Sequence, residues 1–235
     1  MLARAAAAGI SRLLVPGYDL ASSRNAIELA RRHPAVIAAV GIHPHFAAEA
    51  SETDWDELAT LAGAPGVAAI GEIGLDYFRN LSPPEVQRQA FARQLALATA
   101  ASKPVLVHDR DAHDDVRQAL LGWTGPNRTV WGVLHAYSGD AAMAQDMTAA
   151  GFLVSFALPV TFSSAKGPRA AAAALPTGTF LVETDSPWLA PQGAGARNEP
   201  TTVLRVAVEL ARLRGESPEQ IAAEIGRTFD RLLSD

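Results

Sequence analysis

Carboxylates and imidazoles recur in this sequence directly after short apolar runs, a placement suited to holding a divalent cation. Glu72 stands between glycines in Gly71-Glu72-Ile73-Gly74-Leu75-Asp76, after the apolar run 67–70. A buried strand that stops there holds a carboxylate at its mouth, where backbone as slim as glycine leaves room for a ligand. His108 follows Pro104-Val105-Leu106-Val107, His135 follows Gly132-Val133-Leu134, and Asp185 lies in Glu183-Thr184-Asp185-Ser186-Pro187 after the run 180–182. Taken singly, each has a plainer explanation: a turn glutamate facing water, histidines hydrogen-bonded within the strand tops, an aspartate capping the next loop. Four such residues on four separate strand ends are hard to explain as caps, and jointly they read as metal ligands. Glu183 reads as a solvated or ion-paired neighbour of Asp185. This donor set suits Zn2+, Mn2+ or Mg2+. A carboxylate can bridge two ions roughly 3.5–4 Å apart and so clamp a phosphoryl displacement, while an ion lowers the pKa of its water to about 7. Asp185 is placed to ligate and to steer or accept that water's proton.

Further polar residues at the same ends are candidates for substrate contact. They are His43 and His45 in Gly41-Ile42-His43-Pro44-His45, Arg110 in His108-Asp109-Arg110-Asp111, and Arg197 in Arg197-Asn198-Glu199-Pro200. The planar fork of arginine matches phosphate and carboxylate oxygens. The plainer readings are a proline-fixed turn for the two histidines and an Arg197–Glu199 surface pair. Trp188 either packs or stacks on a base. His33, at a helix end before Pro34, and His113, in a helix's first turn, are assigned no chemistry.

The elements that must position these groups alternate along the whole chain. Apolar runs at 13–15, 36–40, 67–70, 105–107, 130–134, 152–156 and 180–182 are nearly continuous, as parallel strands buried on both faces require. Amphipathic stretches lie between them. Ser82-Pro83-Pro84-Glu85 has the pattern of a capping box opening a helix to about Ala101, and Ser217-Pro218-Glu219-Gln220 repeats it near the C-terminus. The chain opens on a helix, followed by seven strands. No Gly-X-Gly-X-X-Gly follows any strand, and polar clusters follow most of them, which favours a TIM-type (β/α)8 barrel lacking its first strand over an open doubly wound sheet. No linker or low-complexity segment interrupts the pattern, so residues 1–235 are expected to form one domain.

Composition narrows the function. The 235 residues contain no cysteine, which excludes disulfides and thiolate chemistry and leaves nitrogen and oxygen ligands for any metal. A net charge of −5 argues against a broad nucleic-acid groove, so a nucleic-acid substrate would have to be gripped locally. No apolar run approaches the ~18 residues of a membrane span, and Met1-Leu2-Ala3-Arg4 lacks an export signal's apolar core, so the expected location is the cytoplasm, without membrane or obligate protein partner.

The strand-end motifs resemble, in order, those of the TatD-like metal-dependent deoxyribonucleases. The resemblance rests on Gly41-Ile42-His43-Pro44-His45, Gly71-Glu72-Ile73-Gly74-Leu75-Asp76-Tyr77, His108-Asp109-Arg110-Asp111-Ala112, His135-Ala136-Tyr137-Ser138-Gly139, Glu183-Thr184-Asp185-Ser186-Pro187-Trp188-Leu189-Ala190-Pro191 and Arg197-Asn198-Glu199-Pro200. It implies a barrel hydrolase of phosphoester bonds, typically a 3'-5' deoxyribonuclease acting on DNA or a small phosphodiester. Glu72 would bridge two ions, with His108 and His135 on one and Asp185 on the other. The family's His-X-His on the first strand has no counterpart here, which leaves two expectations: an incomplete chain, or a naturally shortened one with one well-held ion. Two alternatives accompany this reading, an amidohydrolase cleaving C–N bonds in the same fold and a non-catalytic metal-binding barrel.

Overall fold

The computed structural model describes residues 1–191 and 197–234. Along them run α1 (Leu2–Ala7), β1 (Leu13–Pro16), α2 (Leu20–Arg32), β2 (Val36–Val40), a 3-10 turn (Pro44–Glu49), α3 (Glu52–Ala62), β3 (Val67–Asp76), α4 (Pro84–Ala101), β4 (Val105–Arg110) and α5 (His113–Gly122). They continue with β5 (Gly132–Leu134), α6 (Ala141–Ala149), β6 (Phe152–Phe156), a 3-10 turn (Leu158–Thr161), α7 (Lys166–Ala174), β7 (Phe180–Val182), a 3-10 turn (Pro200–Thr202), α8 (Val203–Arg214) and α9 (Pro218–Ser234). All seven apolar runs form strands. Two compact units make up the described chain: Arg12–Val133, and Met1–Ser11 together with Leu134–Ser234.

In Arg12–Val133, β1 to β4 pair in parallel with their neighbours in chain order, Leu13 opposite Val36 and Gly74 opposite His108. The Val105 amide donates to the Trp131 carbonyl (3.0 Å), which brings the approach to β5 alongside β4. Side chains on the helices close over this sheet, with Leu58, Phe91, Leu95, Val116 and Leu120 all buried. Burial of one such side chain stabilises by about 1.5–3 kcal/mol. Helix α2 starts on a reciprocal cap, in which the Ser22 amide donates to Asp19 Oδ1 (2.7 Å) and the Asp19 amide to Ser22 Oγ (3.0 Å). A cap of this kind contributes about 1 kcal/mol.

Strand β3 departs from the expectation that it stops at Glu72. It runs on to Asp76, pairing with β4 as far as Arg110. Ile70 lies opposite Val105 and Ile73 opposite Val107, so β3 spends one residue more than β4 across Gly71-Glu72, which makes a bulge. The glycines serve close packing rather than termination. A Cβ on Gly71 would lie 2.4 Å from the Leu106 Cβ, and one on Gly74, whose φ is +136°, would lie 2.0 Å from the His108 carbonyl oxygen.

Ser82 also differs from expectation. Helix α4 begins after Pro83 with no side-chain cap. The Ser82 hydroxyl instead donates to the His45 carbonyl (3.1 Å) and accepts from the Ala48 amide (3.0 Å), fastening the 3-10 turn that carries His45.

In the second unit β6 and β7 are parallel, Val154 opposite Phe180, and the Tyr137 amide donates to the Ser155 carbonyl (2.9 Å). Phe152, Phe156, Phe180, Leu210, Ile221 and Leu232 form its buried interior. Ser217 and Gln220 make the expected reciprocal cap of α9 (3.2 and 2.8 Å). Glu199 pairs with Arg4 of α1 through two bonds (2.9 and 2.6 Å), so the alternative pairing with Arg197 is replaced by this one. Among the described residues no helix is long and apolar enough to cross a membrane.

Candidate metal centre

The bulge in β3 aims the Glu72 carboxylate at two imidazoles of the same unit. Glu72 Oε1 lies 2.9 Å from His108 Nδ1 at the end of β4 and 3.3 Å from His43 Nε2 in the segment after β2. The donor atoms of His43, Glu72 and His108 all fall within 4.8 Å of one another, the spacing of ligands around one ion. All three side chains are largely buried, at 9%, 14% and 19% exposure, so charge interactions among them are little screened. Burial pushes the His43 imidazole below its ordinary pKa against the pull of Glu72, which keeps the ring neutral near pH 7.

A backbone hydrogen bond decides which nitrogen of His43 carries the proton, whereas His108 faces a carboxylate from each of its nitrogens. The His45 amide donates to His43 Nδ1 (3.2 Å), so a neutral His43 holds its proton on Nε2, the nitrogen that faces Glu72. His43 in this arrangement is a donor, and Glu72 and His108 are the ready ligands. His108 has its second nitrogen, Nε2, 3.0 Å from Asp76 Oδ2, and His45 Nε2 lies 2.8 Å from the same oxygen. Asp76 is buried, its other oxygen accepts from the Arg79 amide (2.7 Å), and Gln87 grips its backbone through the Asp76 amide (2.8 Å) and carbonyl (3.1 Å). Burial alone would raise the Asp76 pKa, but the bonds from His108, the Arg79 amide and His45 outweigh it and hold the carboxyl well below the usual range.

The donor set fits a divalent cation: imidazole and carboxylate donors at ion-sized spacing on largely buried side chains. Among the sequence-predicted residues, His43, His45, Glu72 and His108 come together within this unit. Arg110, on β4, is half-exposed with its guanidinium 4.8 Å from the exposed Phe78 ring. His113, assigned no chemistry, bonds through Nδ1 to Asp109 Oδ2 (2.7 Å) at the start of α5.

His135 and Asp185 belong to the second unit. His135 Nδ1 lies 2.7 Å from Glu183 Oε1, and the same oxygen accepts from the Ala136 amide (3.0 Å), so of the two readings of Glu183, solvated or ion-paired, the paired one agrees with the structure, with His135 as its partner. Ala136 and Asp185 both adopt left-handed backbone, with φ of 42° and 56°. Such conformations cost about 1–3 kcal/mol at residues other than glycine and cluster at functional sites. Asn198 holds this loop by donating to the carbonyls of Thr184 (2.7 Å) and Leu189 (3.2 Å). Arg197 and Trp188 are exposed, Trp188 at 70%.

Sequence reasoning gave no role to Asp76 or Gln87. The available signal was an acid four residues beyond Glu72: in a strand that continues, positions i and i+4 share a face. The assumption that β3 ended at the glycines hid it.

Buried imidazoles gathered on a carboxylate at the C-terminal ends of parallel α/β strands define a barrel-fold metal hydrolase. The sequence matches the family described as TatD related DNase over residues 1–234, and the chain belongs to that family. It is an enzyme, a metal-dependent hydrolase acting on ester bonds. An uncharacterized metal-dependent hydrolase, YabD of Bacillus subtilis, is 36% identical over 99% of this chain and 91% of its own length. A 3'-5' ssDNA/RNA exonuclease TatD of Enterobacter lignolyticus is 35% identical over 95% of this chain and 88% of its own. Among solved structures, the TatD homologue YJJV from Escherichia coli superposes with a TM-score of 0.92 at 29% identity, covering 100% of this chain and 90% of the other. The fold is therefore the expected TIM-type barrel class, seven of whose parallel strands lie among the described residues.

Proposed function

We propose that this enzyme hydrolyses phosphodiester bonds in nucleic acid, from the 3' end of single strands, with divalent ions of the Zn2+, Mn2+ or Mg2+ kind. The observation that carries the reading is the buried Glu72–His108 pair with the His43 donor beside it, and the exonuclease name of a relative alignable over nearly the whole chain supports it. An ion held there supplies Lewis acidity and lowers the pKa of a coordinated water. Glu72 and His108 hold it; His135 and Asp185, brought in by the family resemblance, are proposed as further ligands, with Asp185 also accepting a proton from the attacking water. His43 offers its Nε2 proton to a phosphate oxygen, and His45, Arg110 and Arg197 are proposed to contact the phosphate or its neighbours along the strand. A small phosphodiester without bases is expected to react at the same site, more slowly.

Cleavage of C–N bonds at a metal pair bridged by a carbamylated lysine is disfavoured by the positions of the chain's two lysines. Lys103 Nζ donates to the carbonyls of Ala62 (2.5 Å) and Val67 (2.6 Å), at the end of β3 opposite Glu72, and Lys166 opens α7. The test is a screen of labelled single-stranded DNA, RNA and a nitrophenyl phosphodiester with each ion, with Glu72→Gln alongside. Wild type should release mononucleotides from the 3' end, and Glu72→Gln should lose both bound metal and turnover while keeping its melting temperature within a few degrees. Turnover that survives in Glu72→Gln, or a folded, metal-loaded wild type inert on every phosphodiester, refutes the proposal.

A further inference from the structure

We infer that Asp76 is a positioning residue that fixes the proton of His108 on Nε2, so that Nδ1 presents its lone pair beside Glu72 to the metal. The inference rests on the metal-site reading given above and extends it to a residue with no assigned role. The geometry is specific. Asp76 Oδ2 takes both His108 Nε2 (3.0 Å) and His45 Nε2 (2.8 Å), while His108 Nδ1 points at Glu72 (2.9 Å). A neutral imidazole has one N–H and one lone pair. Carboxylates, acceptors only, face both nitrogens, Asp76 at Nε2 and Glu72 at Nδ1; with Glu72 engaged by an ion, Asp76 would be the acceptor that remains, so the proton belongs on Nε2 and Nδ1 is left to ligate. Outer carboxylates that receive the second N–H of a ligating histidine set its tautomer and orientation and raise its basicity.

The surroundings prevent Asp76 from serving as a loosely held acid. It is 3% exposed, its Oδ1 is committed to the Arg79 amide (2.7 Å), and Gln87 spans its amide, its carbonyl and the Ser82 carbonyl (2.7 Å). The same serine hydroxyl fastens the turn that presents His45. The shared carboxylate therefore ties the His45 turn, the end of β3 and the His108 ring into one arrangement.

This commitment makes Asp76→Asn informative. The Arg79 amide demands an oxygen at the Oδ1 position, so the amide NH2 must take the place of Oδ2 and face both imidazoles as a donor. His108 can accept from it only by moving its own proton to Nδ1, which removes the lone pair meant for the metal. The variant keeps the size of the side chain and reverses the tautomer.

The experiment combines zinc and manganese titration by calorimetry with nitrogen-15 NMR of the histidine rings, on wild type, Asp76→Asn and His108→Ala. Wild type loaded with zinc should show His108 protonated at Nε2, and Asp76→Asn should bind roughly 10–100-fold more weakly, with the His108 proton found on Nδ1 in the metal-free protein. Unchanged affinity with unchanged tautomer in a folded Asp76→Asn overturns the inference. Should that variant not fold, a zinc-loaded wild type with His108 protonated at Nδ1 overturns it equally. Failure of the underlying metal reading looks different: His108→Ala would bind as tightly as wild type, or wild type would bind no ion, and the role assigned to Asp76 would fall with it.

Discussion

His43 separates two uses of an imidazole that proximity alone confuses. It lies as near Glu72 as a ligand would, yet its Nδ1 accepts the His45 amide, so the nitrogen turned toward Glu72 carries a proton. Its expected role is donation to substrate. His43→Ala should then keep its affinity for zinc or manganese within about threefold while its turnover falls by about 10²-fold, the usual cost of removing one donor aimed at developing charge. Calorimetry and single-turnover cleavage, run on the same preparation, check both halves. A loss of metal as severe as that of Glu72→Gln would show that His43 ligates after all. At this scale the sequence was legible in residue type and blind in protonation. The positions of His43 and His108 follow from apolar runs that stop on polar residues, while Glu72 follows its run but lies inside a strand that continues to Asp76. Which nitrogen holds a proton depends on a backbone amide two residues away, and on an aspartate whose strand had to continue through two glycines to reach it.

Strands and helices were mostly readable, and the exceptions share a cause. Runs of buried aliphatic residues mark a two-sided strand wherever they occur, so β2, β6 and β7 match their runs residue for residue. Glycine and serine carry more than one meaning. Gly71 and Gly74 let β3 and β4 approach closely instead of ending β3, and Ser82 binds a distant turn instead of capping α4. Ion pairs between helices were not readable, because partners far apart in sequence meet only in the fold. Glu209 on α8 joins one such partner, Arg169 on α7, to a neighbour on its own helix, Arg212. It accepts from Arg212 (2.7 and 3.0 Å) and from Arg169 on α7 (2.6 Å). The Arg212 bonds, opposed in part by burial and joined by Arg169, lower its carboxyl to about 2. A carboxyl depressed in the folded state adds stability that is fully present above its ordinary pKa of 4.5 and is lost as the pH falls toward the folded value. Urea midpoints of wild type and Glu209→Gln should therefore differ by a constant amount from pH 7 to about 5 and converge as the pH approaches 2. A gap that stays open at pH 2 would place the effect in packing rather than charge.

Across the whole molecule the charge balance and the proposed substrate pull in opposite directions, and salt dependence is where they meet. The chain carries a net charge of −5, with 25 acidic residues against 20 lysines and arginines. Several of its arginines are already paired with carboxylates, among them Arg4, Arg24, Arg93 and Arg212. The cations among the proposed contacts are Arg110, whose guanidinium lies 4.0 Å from Asp111, and the exposed Arg197. Each phosphate contact on a single strand adds about −0.7 to the slope of log affinity against log salt, so two contacts give a slope near −1.4. Raising salt from about 50 to about 200 mM should accordingly raise the KM for a single-stranded oligonucleotide about sevenfold. A broad basic groove with six or more contacts would lose on the order of a thousandfold over that range. The nitrophenyl phosphodiester, which engages the metal centre without a strand, should barely respond to salt. If Arg110→Ala and Arg197→Ala each remove about half of the slope, the grip on the strand is local and the reaction depends on the cluster around Glu72 rather than on the charge of the surface. A steep slope retained in both variants would mean that the strand follows a track of other cations, and the contacts proposed for these arginines would have to be withdrawn.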